Sequence, residues 1–143
     1  MSNPVIYALN LQSPHSLKRA ASIARRFEGP LYLCYVTDFE EELEDDTEYF
    51  GEVDAQAYVN KKHSELKAKI DAMIDKASLQ CEDVFILNGP IALTINELAE
   101  KVSAQLIIVT KTHHKYLKWV DHQRDIESRS HCDVYVMNVD VRE

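Results

Sequence analysis

Short apolar runs alternate with segments of helical periodicity along the whole chain, and this alternation constrains the fold more than any other feature. Residues 5–9 (VIYAL), 31–36 (LYLCYV), 84–87 (VFIL), 106–109 (LIIV) and 134–139 (VYVMNV) read as five strands. They are short and nearly all apolar, as strands are when both faces of a sheet are covered. Helical stripes fill the intervals. Consecutive strands separated by a helix pair in parallel, because only a crossover of that length returns the chain to the same sheet edge. The expected architecture is an α/β single domain over residues 1–143, an open and mainly parallel five-stranded sheet with helices on both faces. A chain of 143 residues has ample length for one such core.

The first helix is expected over about 15–27, with Leu17, Ala20, Ala21, Ala24 and Phe27 on one face. Ser13 and Pro14 form the turn before it. Gly29 and Pro30 end it, Gly29 through a left-handed closing conformation. A second helix over about 55–77 carries Tyr58, Val59, Leu66, Ile70, Met73, Ile74 and Ala77 in its apolar stripe, and His63 falls in the same stripe as a rim or core histidine. Asn88, Gly89 and Pro90 lead into a third helix, with Pro90 at its first position and Ile91, Ile95, Leu98, Ala99 and Val102 facing inward. The stretch 111–131 is polar and has few apolar anchors; a fourth helix is expected over about 117–129.

The net charge is −8, yet it is unevenly placed. Residues 38–54 (DFEEELEDDTEYFGEVD) hold ten of the 24 acids and no base, which leaves 14 acids against 16 bases elsewhere. This acidic connection is expected to be solvated, with Phe39, Leu43, Tyr49 and Phe50 packing over the domain as a partial lid. No broad basic stripe is present for phosphate-backbone binding, so nucleic acid is not an expected partner. No apolar run reaches the roughly 18–20 residues of a membrane span, and the first residues lack the pattern of a signal peptide. A cytoplasmic protein without membrane partners is expected.

In an open α/β sheet, ligands bind beyond the carboxyl ends of the strands, where strand order reverses. The loops that form this crest begin at residues 10–13, 37–38, 88–90 and 110–114. The order of elements, with "ILNGP" before the third helix, "AQLIIVTKTHH" after it and "SHCDVYVMNV" at the last strand, resembles the universal stress protein family over nearly the whole chain. That family divides into ATP binders and non-binders, and the resemblance implies a glycine-rich signature after strand four in the binders: Gly, two residues, Gly, nine residues, then Gly with Ser or Thr. Here the stretch reads TKTHHKYLKWVDHQRDIESRSH and holds no glycine, since the only glycines are Gly29, Gly51 and Gly89. Backbone amides cradle phosphates through conformations and close approaches that side chains obstruct. The binders also carry Asp at the end of strand one, where Asn10 stands. With His113, His114 and Tyr116 after strand four, the chain looks like the A-type members that lack the motif. ATP or AMP as a cofactor is therefore disfavoured.

If a nucleotide or other anion does bind, the candidate residues are Asn10, Asp38, Gly89, Lys111, Thr112 and His114, with Lys115 and Lys118 adding charge. The simpler reading of this lysine-rich stretch is a solvated loop. Tyr116 and Trp119 between lysines also match a single-stranded nucleic-acid platform, but over one short window. His113, His114, Asp121, His122, His131 and Cys132 show no metal-ligand spacing, so no metal is expected. Cys34, Cys81 and Cys132 form no CxxC pair and are an odd number, as free cytosolic thiols are. There is no nucleophile elbow, HExxH or Walker loop, and no catalytic residue is assigned.

The last strand alternates Met137, Val139 and Val141 with Asn138, Asp140 and Arg142, as an edge strand projecting past the core would. The resemblance implies a homodimer through it, with Val136, Met137, Asn138 and Val139 as the dimer strand. The reading is a non-enzymatic stress-response protein acting through a homodimer and contacts with an unidentified protein partner. The alternatives are a nucleotide-binding sensor in which Lys111 and His114 replace the glycine loop, and an adaptor whose recognition lies in the acidic segment.

Overall fold

The computed structural model describes residues 3–37, 52–112, 126 and 130–139. In chain order the elements are β1 (Val5–Ala8), α1 (Pro14–Arg26), β2 (Leu31–Thr37), α2 (Glu52–Ala77), β3 (Asp83–Asn88), α3 (Ile91–Val102), β4 (Leu106–Thr112) and β5 (Asp133–Val139). The strands form one sheet in the order β3-β2-β1-β4-β5, and every neighbouring pair is parallel. The expected α/β class and sheet are both present. Order reverses at β1, whose neighbours are β2 on one side and β4 on the other.

Strand order decides which face each helix covers. The β1-to-β2 and β2-to-β3 connections step in the same direction, so right-handed crossovers put α1 and α2 on one face. The β3-to-β4 connection steps back across β2 and β1, and α3 falls on the other. The side chains obey this division. Val5, Tyr7, Leu33, Ile108, Met137 and Val139 pack with Leu17 and Ala21 of α1 and with Ile70 and Met73 of α2. Ile6, Cys34, Ile107 and Val109 pack with Ile95, Leu98 and Ala99 of α3 and with Ile126. Alternate residues of β1 and β4 thus enter opposite cores, as the two-residue period of a strand requires.

The helices α1, α2 and α3 close in the same way, and none has a glycine in the left-handed position. Glu28, Ser78 and Ser103 each adopt φ near 55° (56°, 53° and 56°). Their amides bond to the carbonyls of Arg25, Asp75 and Glu100, and the next amides, of Gly29, Leu79 and Ala104, reach back to Ala24, Ile74 and Ala99. This is the paired hydrogen-bond closure in which the left-handed residue stands one position before the longer bond. The expected role of Gly29 is therefore corrected: Glu28 makes the left-handed turn. Gly29 supplies space instead. A Cβ there would collide with the backbone carbonyl oxygen of Asn3 and lie 2.8 Å from Nε2 of Gln105. That same amide nitrogen donates to Asn3 O at 2.6 Å and to Phe27 O at 3.2 Å, tying the chain before β1 to the end of α1. Gly29→Ala is expected to lower stability by about 1.5 kcal/mol, since the obstacle is main chain and cannot swing aside; urea unfolding measures it.

Other expectations shift for equally local reasons. Pro14 is not only a turn residue but opens α1, with Ser13 as its N-cap, while Pro90 is the N-cap of α3 with extended backbone instead of its first helical residue. Phe27 leaves the α1 stripe: it sits at the C-cap and is 44% exposed. Among the α2 residues whose burial is described, Ile70 and Met73 are buried, and His63 is exposed rather than in a core or at its rim. A helix of 26 residues is about 39 Å long, much more than a seven-residue strand covers. Its first half therefore outruns the sheet, and Tyr58, Val59 and Leu66 remain half-buried there. Of the expected fourth helix, only Ile126 is described; it is helical and 1% exposed. The acidic connection lies, up to Gly51, outside the described residues.

Candidate functional site

The crest of the sheet is built where β1 and β4 adjoin. Asn10 follows β1, and its side chain is used on both sides: Oδ1 accepts from the Gln12 amide at 2.9 Å, and Nδ2 donates to Thr110 Oγ1 at 3.2 Å. The first bond is a local Asx turn that starts the loop to α1. The second crosses the switch point. Thr110 is fully buried and lies within β4, paired with Met137 of β5.

Tyr7, which the sequence reading assigned only to a strand, holds this loop from below. Its ring is buried in the α1 side of the sheet, and its phenol oxygen accepts the Asn10 amide at 3.3 Å. Beside it, Ser16 Oγ donates to Ser13 Oγ at 2.5 Å, both side chains being buried. Burial pushes the Tyr7 phenol up to about 12; the Asn10 amide, the Ser16 hydroxyl and the charge of Arg19 oppose the shift without cancelling it. The hydroxyl therefore stays protonated and serves as a structural hydrogen-bonding group. A tyrosine in an apolar run gives no signal of this kind, because the contact depends on where the following loop returns.

On the β2–β3 side, Thr37 Oγ1 donates to Leu87 O at 3.2 Å and approaches Asn88 Oδ1 at 3.4 Å, while the Gly89 amide donates to Thr37 O at 2.8 Å. Gly89 has φ 149°, a conformation that L side chains rarely adopt, and a Cβ there would lie 2.7 Å from Thr94 Oγ1. Its glycine requirement is met by turn geometry. Among the described residues, Asn10 and Thr110 are thus bonded to each other at the crest, as are Thr37 and Gly89.

The candidate residues do not form one cluster. Asn10 and Gly89 stand at the ends of β1 and β3, at opposite sides of β2. Lys111 is exposed and belongs to β4, as does Thr112, so both are strand residues and not part of a free loop. Strand alternation sends Lys111 to the α3 side and Thr110 to the α1 side. The expectation that the crest loop starts at Thr110 is corrected by the β4–β5 ladder, which continues to Thr112 and Val139. Asp38, His113, His114, Lys115, Tyr116, Lys118, Trp119, Asp121 and His122 lie outside the described residues. His131 pairs with Glu100 at 3.2 Å on the surface. Among the described residues, no group of three or more His, Cys, Asp or Glu side chains is placed to hold a metal ion.

The free thiols are shielded or poorly poised for nucleophilic chemistry. Cys34 is 1% exposed, and burial pushes its thiol up to about 12. Cys81 and Cys132 are raised as well, by partial burial first and then by nearby aspartates. Raised values reduce the thiolate on which reactivity depends. In β5, Met137 and Val139 are filled into the chain's own core, which leaves Val136 half-buried and Asn138 exposed. Among the described residues β5 pairs only with β4, so its outer edge is an unpaired sheet edge. No helix among them is long and apolar enough to cross a membrane.

The family model of the universal stress protein family matches residues 1–138. No curated protein sequence matches significantly. Among solved structures, a universal stress protein in complex with cAMP is 16% identical, with 96% of this chain and 97% of that chain covered and a TM-score of 0.65. The universal stress protein UspA from Lactobacillus plantarum is 18% identical, with coverages of 95% and 97% and a TM-score of 0.66. A universal stress protein from Archaeoglobus fulgidus in complex with dAMP is 15% identical, with coverages of 95% and 97% and a TM-score of 0.57. Some other matched chains are longer, and the chain spans 48% of each of two of them. At these identities the likeness is one of fold.

Proposed function

The chain belongs to the universal stress protein family, and from that premise we propose that it is a cytoplasmic, non-enzymatic stress-response protein acting through a homodimer and contacts with another protein, without a nucleotide cofactor. The observation that carries this reading is that, among the described residues, polar groups at the crest are already hydrogen-bonded in two separate sets, one at Asn10 and one at Thr37. Asn10 is engaged by Gln12 and Thr110, and the Gly89 amide by Thr37, so a nucleotide entering there would displace bonds already made. Breaking them without full replacement costs about 1–3 kcal/mol for each group left unpaired. No glycine follows β4 to let the backbone amides approach a phosphate closely.

The second reading, a nucleotide sensor, is favoured by one observation: two of the similar structures are complexes with cAMP and dAMP. One experiment separates the readings. Purified protein, cleared of any co-purifying nucleotide, is titrated calorimetrically with ATP, ADP, AMP and cAMP plus magnesium, and its mass is measured by light scattering. The expected result is a dimer and no binding tighter than about 100 μM, equivalent to about −5.5 kcal/mol. Tighter binding overturns the first reading and makes Lys111 and Asn10 the positions to mutate. A monomer at micromolar concentration removes the role given to the β5 edge.

A further inference from the structure

The helices α1 and α2 cover the same face of the sheet and meet along part of their length. Two openings run between them, of about 640 and 760 Å³. The first is walled by Lys18 of α1 and by Met73 and Lys76 of α2; the second by Ala21 and Arg25 of α1 and by Ile74 of α2. Lys18, Ala21 and Arg25 are spaced by three and four residues, so they lie on one side of α1, the side turned to α2.

The charge of this cleft opposes that of the protein. The α1 helix carries Lys18, Arg19, Arg25 and Arg26 and no acid, in a chain of net charge −8. Arg19 is spent on the Asn138 carbonyl at 2.8 Å. Among the described residues Lys18 and Lys76 have no carboxylate partner, and Arg25 bonds the Ser22 hydroxyl at 3.0 Å. Among the described lining residues of the two openings there is one carboxylate, Glu82, beside the start of β3. The first opening therefore combines an apolar floor with a lysine on each wall, whereas the second sets Arg25 on α1 against Glu82, with Asp71 and Asp83 near its lining residue Cys81.

We propose that the α1–α2 cleft is the surface on which this protein receives an acidic partner segment, one in which Glu or Asp alternates with apolar anchors. The proposal rests on the reading that the protein acts through protein contacts, and names the surface. Lys18 and Arg25 are seven residues apart, about 10 Å along the helix, so carboxylates spaced along a segment can meet both without the two side chains having to converge. An extended peptide advances about 3.3 Å per residue and presents repeated carboxylates on that scale while its apolar side chains descend onto Met73 and Ile74. Uniform polyanions such as DNA gain nothing from the apolar floor.

The test is fluorescence anisotropy with the full chain and a labelled peptide in which Glu alternates with Leu and Phe. Saturable binding is expected at low salt, weakened about tenfold in the Lys18→Glu/Arg25→Glu variant and again in Lys76→Glu, because rim charges set encounter and specificity. Circular dichroism and light scattering on the variants check that fold and dimer persist. Peptide anisotropy, molecular mass and nucleotide titration are separate measurements on the unsubstituted protein, so failure of the cleft leaves the mass and nucleotide titrations readable on their own. Absence of binding, equal binding by the charge-reversed variants, or equal affinity for a peptide with Lys in place of Glu overturns the proposal. Displacement of the peptide by laurate or inorganic phosphate at matching affinity assigns the cleft to a small anion instead. Tighter binding of single-stranded DNA than of the peptide assigns it to nucleic acid, and either outcome overturns the peptide site.

Discussion

Between pH 9 and pH 12 the protein is expected to lose most of its folding stability, with Cys34 and Tyr7 as the principal causes. In the unfolded chain these groups ionise at their ordinary values of 9.0 and 10.0, whereas burial raises both to about 12 in the fold. The folded state therefore keeps two protons that the unfolded state releases. Stability falls with pH wherever the native state binds more protons, at about 1.4 kcal/mol per pH unit for each such group. The contribution is complete below pH 9, begins to fall as unfolded Cys34 ionises, steepens above pH 10 when Tyr7 joins, and is gone beyond pH 12. Cys34 accounts for about 4 kcal/mol and Tyr7 for about 3 kcal/mol, against the roughly 5–15 kcal/mol that domains possess. Cys81 and Cys132 shift in the same direction and add to the slope.

Urea unfolding under reducing conditions at a series of pH values measures this decline. Cys34→Ala should be less stable at pH 7, because a small cavity forms, but its slope from pH 9 upward should be shallower by about 1.4 kcal/mol per unit. Tyr7→Phe should remove the steepening above pH 10. It should also cost about 1–3 kcal/mol at neutral pH, since the Asn10 amide loses its acceptor. Identical slopes in Cys34→Ala and the parent would show that the thiol is accessible in the fold, contrary to its 1% exposure.

Replacing the three helix-closing residues by glycine is expected to have the largest effect in the stabilising direction. A side chain in the left-handed region costs about 1–2 kcal/mol, and glycine avoids it while adding up to about 1 kcal/mol of unfolded-state entropy. Each of Glu28→Gly, Ser78→Gly and Ser103→Gly should gain somewhat less than 1 kcal/mol. The triple variant should gain about 2–3 kcal/mol, raising Tm by about 6–10 °C. The sites are on different helices, so near-additivity is expected. All three lie at the edge where helices hand over to β2, β3 and β4, opposite the crest. Any ligand or partner affinity located at the crest should be unchanged. A lower Tm in any single variant would mean that its side chain contributes more than its backbone conformation costs.

Most of the architecture was legible because it rests on periodicity. The run of Ile107, Ile108 and Val109 is apolar at every position since alternate residues enter two different cores. The Leu17, Ala20, Ala21 and Ala24 stripe similarly announced the buried face of α1. The longer β4 was not legible, because Thr110 and Lys111 look like loop residues until the β5 ladder supplies partners. Nor was the exposure of His63. Its spacing fits the α2 stripe, but the helix outruns the sheet at that point and the side chain is exposed.

The candidate site divides along the same line. Sequence alone determined the five-strand α/β fold, the family resemblance and the lack of a glycine loop after strand four, for these depend on residue type and spacing along one chain. Only the tertiary structure decided that Tyr7 supports the Asn10 loop, that Asn10 bonds Thr110 a hundred residues away, and that Glu28 rather than Gly29 turns the chain. It also decided that Lys18, Arg25 and Lys76 share a cleft. The physical reason is common to all four. Local pattern fixes which elements form, whereas a contact between distant residues depends on how the sheet orders its strands and where each helix is set down upon it.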